Sequence, residues 1–259
     1  MPFLFVRDLR GVGGRTAANR LLLLTRRGLA VLVAIAVVAV ARQAVAQDEP
    51  PVFTPPATHF MGREIAQTMH YTGAPWLVRE SRQREEDCRM LLEALELEKG
   101  QTVCDLGCGN GFYTLELARR VGPKGQVYAV DIQREMLQLL MQRSAEVGFR
   151  NITPVLGSAT DPNLPEGEVD LVLCVDVYHE FSHPAEMLAA IRKSLSDDGL
   201  VVLAEFRAED PAVPIKPLHK MTKAQAKKEL EACGFQVARE FDRLPWQHLL
   251  FFEKADDAD

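Results

Sequence analysis

An α/β fold built on a mostly parallel sheet is predicted by three observations. From residue 102 onward, seven short runs rich in β-branched and apolar residues alternate with helical stretches of ten or more residues. The first run ends at Asp105, and glycines follow at alternate positions, Gly107, Gly109 and Gly111, directly before a helical segment. Such a turn lets a ligand lie against the backbone, with the unpaired N–H groups of the next helix facing it. The last two runs are joined by residues 242–247 with no helix between them, so they pair as an antiparallel hairpin at one edge.

Taken in order, residues 1–46 read as a leader. They hold seven Arg, one acid (Asp8), an uncharged run over 28–41 and then Ala44-Val45-Ala46, the layout of a signal peptide. The run is shorter than the roughly 20 residues a spanning helix needs. A cleaved export signal is therefore the first reading and an uncleaved membrane anchor the second. A twin-arginine route is open through Arg26-Arg27, which ordinary signals also carry. Residues 47–84 form a linker and N-terminal cap segment, Pro-rich and acidic at first, then with little periodicity. Residues 81–97 read as a helix. Strands follow over 102–105, 126–131, 152–156, 169–175, 200–206, 235–241 and 248–253. Helices lie over 112–121, 134–147, 184–194 and 223–232. The last helix has Thr222 and Gln225 as a capping box and Gly234 past its end. Residues 210–220 form a proline-punctuated insertion, a candidate lid, and residues 256–259 an acidic tail.

The glycines do not fit the dinucleotide fingerprint, since the third glycine of G-x-G-x-x-G falls on Phe112. Asp131 stands 20 residues beyond Gly111, at the end of the second strand, where an acid accepts from both ribose hydroxyls. In residues 103–111, 127–131, 169–176 and 195–203 the chain resembles the class I S-adenosylmethionine-dependent methyltransferases, over about residues 85–255. The resemblance implies a Rossmann-like seven-stranded sheet of order 3-2-1-4-5-7-6 with helices on both faces. It implies S-adenosylmethionine as cofactor and methyl transfer as activity. Asp105 would then hold the amino-acid end of the cofactor, Gly107, Gly109 and Gly111 give the close backbone approach, and Asp131 takes the ribose. The alternative for Asp105 is a cap on the next helix. Where many relatives carry an adenine-binding acid this chain has Ser158, so the backbone of Ser158 and Ala159 is expected there, with Asp161 as a stand-in.

Asp176 follows the fourth strand and by the resemblance faces the cofactor, and His179 and Glu180 come next, where this family places its acceptor. His179 titrates near neutrality and is a candidate base, with Glu180 orienting it or touching substrate. His219 on the insertion is a second candidate base, and Glu205 points at the same crevice from the fifth strand. The bland alternatives are a helix cap, a cofactor cover and a surface histidine. His70, Tyr71 and Trp76 are candidates for a roof, and His248 is read as structural. No metal site follows from the spacing: only His179 and His183 are four apart, and Pro184 disfavours a helix there.

Without the leader, 23 Lys and Arg face 35 Asp and Glu, a net charge of about −12. So acidic a body is a poor match for a polyanion, which argues against DNA and RNA as partners. Five cysteines, Cys88, Cys104, Cys108, Cys174 and Cys233, show neither metal spacing nor a disulfide framework. Cys108, in the glycine turn, is the one expected nearest solvent or cofactor. The expected acceptor is a small molecule, with a peptide or cell-envelope acceptor as the variant an exported, periplasmic or secreted protein would suit. The rival classes are a S-adenosylmethionine-binding sensor or partner subunit without turnover, and a nicotinamide-dependent oxidoreductase.

Overall fold

The computed structural model describes residues 55–256, so the leader, residues 47–54 of the linker and residues 257–259 of the tail lie outside it. All elements below belong to the unit that starts at Pro56. A hairpin of β1 (His59–Phe60) and β2 (Arg63–Glu64) comes first, then a 3₁₀ helix (Tyr71–Val78), α1 (Arg82–Glu86) and α2 (Cys88–Ala94). The sheet region runs β3 (Thr102–Leu106), α3 (Phe112–Val121), β4 (Gln126–Asp131), α4 (Arg134–Val147), β5 (Ile152–Leu156), β6 (Val169–Val175), a 3₁₀ turn (Tyr178–Glu180), α5 (Pro184–Ser194), β7 (Leu195–Phe206), a second 3₁₀ turn (Pro217–His219), α6 (Lys223–Ala232), β8 (Phe235–Phe241) and β9 (Gln247–Lys254).

Seven strands form one sheet in the order β5-β4-β3-β6-β7-β9-β8. This is the 3-2-1-4-5-7-6 order expected. Strands β5 to β7 are parallel, and β9 pairs antiparallel with both β7 and β8. Alternate residues of the central strands feed two cores. Cys104, Val172 and Cys174 face a cluster with Leu188 and Ile191 of α5 and Leu230 of α6. Val103, Leu171 and Leu173 face one with Leu91 of α2 and Leu117 and Val121 of α3. A strand buried on both faces reads as an unbroken apolar run. The edge strand β8 is the contrast, exposing every second residue from Gln236 to Glu240. Helix α3 buries Thr114, Leu117, Ala118 and Val121, the i, i+3, i+4, i+7 stripe of a helix lying on a sheet.

Several expectations are corrected. The 81–97 helix is broken at Asp87, whose φ of +47° is left-handed; its carboxylate then caps α2 by accepting from Met90 N at 3.2 Å. The fifth strand begins at Leu195, five residues early, because residues 195–199 stay extended along β6. Residues 59–78 carry a hairpin and a 3₁₀ helix that weak periodicity did not reveal. The capping box is half made. Thr222 Oγ1 accepts from Gln225 N at 3.1 Å, while the Gln225 amide turns to Glu229 and the Met61 carbonyl. Cys108 is buried against Leu137 and Leu140, not near solvent.

Candidate functional site

At the carboxyl ends of β3, β4 and β6, where strand order reverses, opens a cavity of about 580 Å³. Its floor is the glycine turn. Gly109 has φ +53°, and a Cβ built on it would lie 2.5 Å from Leu77 Cδ1; one built on Gly107 would collide with Val177. Both line the cavity. Asp131 lines it too, and its carboxylate accepts from Gly109 N at 2.9 Å and Gln133 N at 2.8 Å. Burial raises its pKa, and these backbone donors pull it back.

Asp105 and Gly111 are placed differently. Neither lines the cavity. Asp105 is buried beneath the turn, where its carboxylate accepts from the Thr114 hydroxyl at 2.5 Å, which favours the reading as a tie to the next helix. Burial lifts its pKa to about 6, against the pull of Thr114 and Arg82. Gly111 caps α3 and packs on α4: a Cβ there would sit 2.8 Å from Leu140.

Ser158 and Ala159 line the cavity beyond β5. Ser158 N, however, donates to the Asp161 carbonyl at 2.8 Å, and its hydroxyl serves the same loop. That leaves the Ala159 backbone and the walls of Ile132 and Met136 for a flat apolar ring. Asp161 does not line the cavity; its carboxylate accepts from Asn163 N at 2.7 Å. Asp176 does line it, with the uncommon left-handed φ of +53°. Both its oxygens accept from Gln247 Nε2, at 2.9 and 2.8 Å, and burial beside Glu86 and Glu205 holds its pKa well above the usual carboxylate range.

The same cavity is lined by part of a chain of titratable groups. Glu205, fully buried, contacts His179 Nδ1 at 2.7 Å, and His179 Nε2 contacts His219 Nδ1 at 3.1 Å. Glu205 Oε1 also accepts from Tyr178 N at 3.1 Å, which fixes its carboxylate. Glu205 holds the His179 pKa above its ordinary value despite the cost of burial. Desolvation and the neighbouring His179 lower that of His219. Glu180 lies 4.0 Å from His179 and 3.9 Å from His219, and burial lifts its pKa to about 7. His179, Glu180 and His219 all line the cavity. So do Pro214, Ile215 and Lys216 of the insertion, as its reading as a lid requires. His248 is fully buried in β9.

The roof comes from the N-terminal segment. Gln133 clamps it, accepting from Tyr71 N at 2.7 Å and donating to the Met69 carbonyl at 2.9 Å. Asn110 donates to the Ala74 carbonyl at 3.0 Å, and Arg63 pairs bidentately with buried Glu229 at 2.8 Å. Of the expected roof residues, Trp76 lines the cavity, with the Arg79 guanidinium 3.7 Å above its ring. His70 and Tyr71 do not line it. The sequence reading missed Arg79, Arg82 and Glu86, which line the roof side in a buried ion network: Glu86 meets Arg79 at 2.6 Å and Arg82 at 2.8 Å. The charged stretch 79–86 was the available signal, but it reads equally as a solvated helix face.

A family model described as a methyltransferase domain matches residues 97–251 of the chain. A nocamycin O-methyltransferase of Saccharothrix syringae is 31% identical over 115 residues, 44% of this chain and 41% of that protein. A demethylmenaquinone methyltransferase of Anoxybacillus flavithermus is 35% identical over 81 residues, 31% of this chain and 34% of that protein. The chain thus spans about a third to two fifths of these relatives' length. Among solved structures, a SAM-dependent methyltransferase from Aquifex aeolicus superposes with a TM-score of 0.67 at 24% identity, covering 71% of this chain and 98% of that one. That likeness shows the fold.

Proposed function

The chain belongs to the methyltransferase-domain family, and from that premise we propose that it transfers a methyl group from S-adenosylmethionine to a small-molecule acceptor. The observation that carries the proposal is a single cavity whose lining holds both Gly107, Gly109 and Asp131 and the titratable group His179, Glu180 and His219. Its size falls within the roughly 300–1,000 Å³ of small-molecule sites.

The residues present suit the cofactor. The cradle at Gly107 and Gly109 excludes any side chain. Asp131 is a backbone-held carboxylate suited to ribose hydroxyls, and Ile132 and Met136 give an apolar wall for the base. When bound there, S-adenosylmethionine supplies an activated methyl group on a sulfonium.

This chain then contributes alignment and a proton acceptor. His219 faces the cavity and takes the acceptor's proton. The proton lands on His219 Nε2, the proton on His219 Nδ1 passes to His179 Nε2, and Glu205 orients the His179 ring from behind. The roof and the insertion narrow the access of water to the cavity. A hydroxyl, phenol or thiol acceptor uses the proton acceptor; an already anionic carbon or oxygen does not need it.

The leader pattern extends the proposal to an exported protein, with a peptide or envelope acceptor in reach. Amino-terminal sequencing of the mature protein, expected to start after Ala46, tests this. Among the described residues, no helix is long and apolar enough to cross a membrane.

Transfer is tested with the full chain, methyl-labelled S-adenosylmethionine and a panel of hydroxyl- and thiol-bearing acceptors. Label should move to at least one acceptor, and His219→Ala should cut kcat about 10²–10⁴-fold while cofactor affinity holds. Binding without transfer to any acceptor favours the sensor reading. Unchanged kcat in both His179→Ala and His219→Ala removes the proton-acceptor assignment.

A further inference from the structure

We infer that His179 Nε2, His219 Nδ1 and Glu180 Oε1 form a binding site for one divalent metal ion of the zinc class, with its open position facing the cavity. The three ligand atoms lie within 4.8 Å of one another and come from residues that all line the cavity. Two 3₁₀ turns, Tyr178–Glu180 and Pro217–His219, bring them together.

The spacing is near that of a metal centre. Zinc bonds of about 2.0–2.2 Å place two tetrahedral ligand atoms roughly 3.3 Å apart. The two imidazole nitrogens stand 3.1 Å apart, so they need only a small separation. The Glu180 oxygen, at 3.9 and 4.0 Å, closes by roughly half an ångström to bind the same ion. The rings meet at 90°, with centroids 5.2 Å apart, so one does not stack over the other's nitrogen.

An independent observation supports metal over a plain histidine pair. A metal-bound His is held by a carboxylate or carbonyl on its second nitrogen, which fixes the tautomer and raises its basicity. Glu205 occupies that place on His179 at 2.7 Å, with its side chain wholly buried. Two carboxylates, Glu180 and Glu205, thus flank two imidazoles in a shielded pocket. Arg63, which reaches the His179 carbonyl at 3.0 Å, is spent on Glu229. A pocket of this sign and ligand type, two nitrogens and one oxygen with an open position, is the pattern of a catalytic rather than a structural zinc site.

Binding replaces the proton shared between the two imidazoles, so each metal ion taken up releases that proton to solvent. The open position takes an anionic oxygen or sulfur, so a hydroxyl or thiol acceptor binds there with loss of its proton to solvent. The metal-loaded and proton-loaded sites are alternative states of one cluster. The site stands whether or not the domain transfers methyl groups.

The test uses the full chain, stripped with chelator and titrated with Zn²⁺ by calorimetry and with Co²⁺ by visible absorption. One equivalent should bind, and Co²⁺ should show a nitrogen/oxygen tetrahedral spectrum without a sulfur charge-transfer band, which excludes the five cysteines. His219→Ala changes a half-buried side chain and should fold, as circular dichroism checks; it should bind at least about tenfold more weakly, as should Glu180→Gln. Glu205→Gln keeps the ligands and should weaken binding about 10–100-fold. No binding by the parent chain, or equal affinity in His219→Ala and Glu180→Gln, overturns the inference. A loss of methyl transfer with metal binding intact instead strikes only the proposed activity.

Discussion

Asp105 is a buried carboxylate whose direct side-chain partner is a neutral hydroxyl. Its pKa of about 6 against an ordinary 3.8 means the fold disfavours its charge. Between these two values the folded chain holds more protons than the unfolded one, so stability falls as pH rises through that window. The full loss, on the order of 3 kcal/mol, is in place above pH 6. Asp105→Asn keeps the shape and the Thr114 contact without the charge. It should melt higher than the parent at pH 7 and at the same temperature near pH 4, as thermal scans across pH will check. The same residue shows a limit of reading chemistry from sequence. Its place at the end of a strand was legible, but its rotation beneath the glycine turn depends on Thr114, nine residues later.

Elements with a strong period were legible to the residue: α3, α4, α5, α6, β4, β5, β6 and β8 begin and end where hydrophobic spacing and caps put them. Failures came where tertiary contacts override local pattern. Asp87 breaks a helix that periodicity would continue, because α1 serves the ion network and α2 the core. The pairing of Glu205, His179 and His219 was out of reach for spacing, since 26 and 40 residues separate the partners. The roof depends on Gln133, whose backbone N–H holds Asp131 while its amide holds Met69 and Tyr71. Gln133→Ala should remove two hydrogen bonds from the roof alone. Hydrogen exchange at residues 69–74 should speed up by a factor of roughly 5–30, for about 1–2 kcal/mol, with little change in melting temperature. Uniform acceleration across the chain or a global loss of stability would show that the clamp is not local.

At the scale of the whole molecule, ligand choice can be read as stability. S-adenosylmethionine at a hundred times its Kd adds about 2.7 kcal/mol. For a unit of this size that should raise Tm by roughly 5–10 °C, while NAD leaves it unchanged. Asp131→Ala should remove most of the shift; an equal shift with NAD would point to a dinucleotide site. The parallel sheet was legible from the alternation of strands and helices and its strand order from the family resemblance, whereas the covering N-terminal segment was not, since its short elements carry no period. That cover is pinned to the domain through Gln133, Asn110 and Arg63. If what lies beneath departs by opening those fastenings, residence time is set by the cover rather than by the strength of contacts below. A first turnover faster than those after it, seen as a burst in rapid-mixing traces, is the kinetic mark of such a gate.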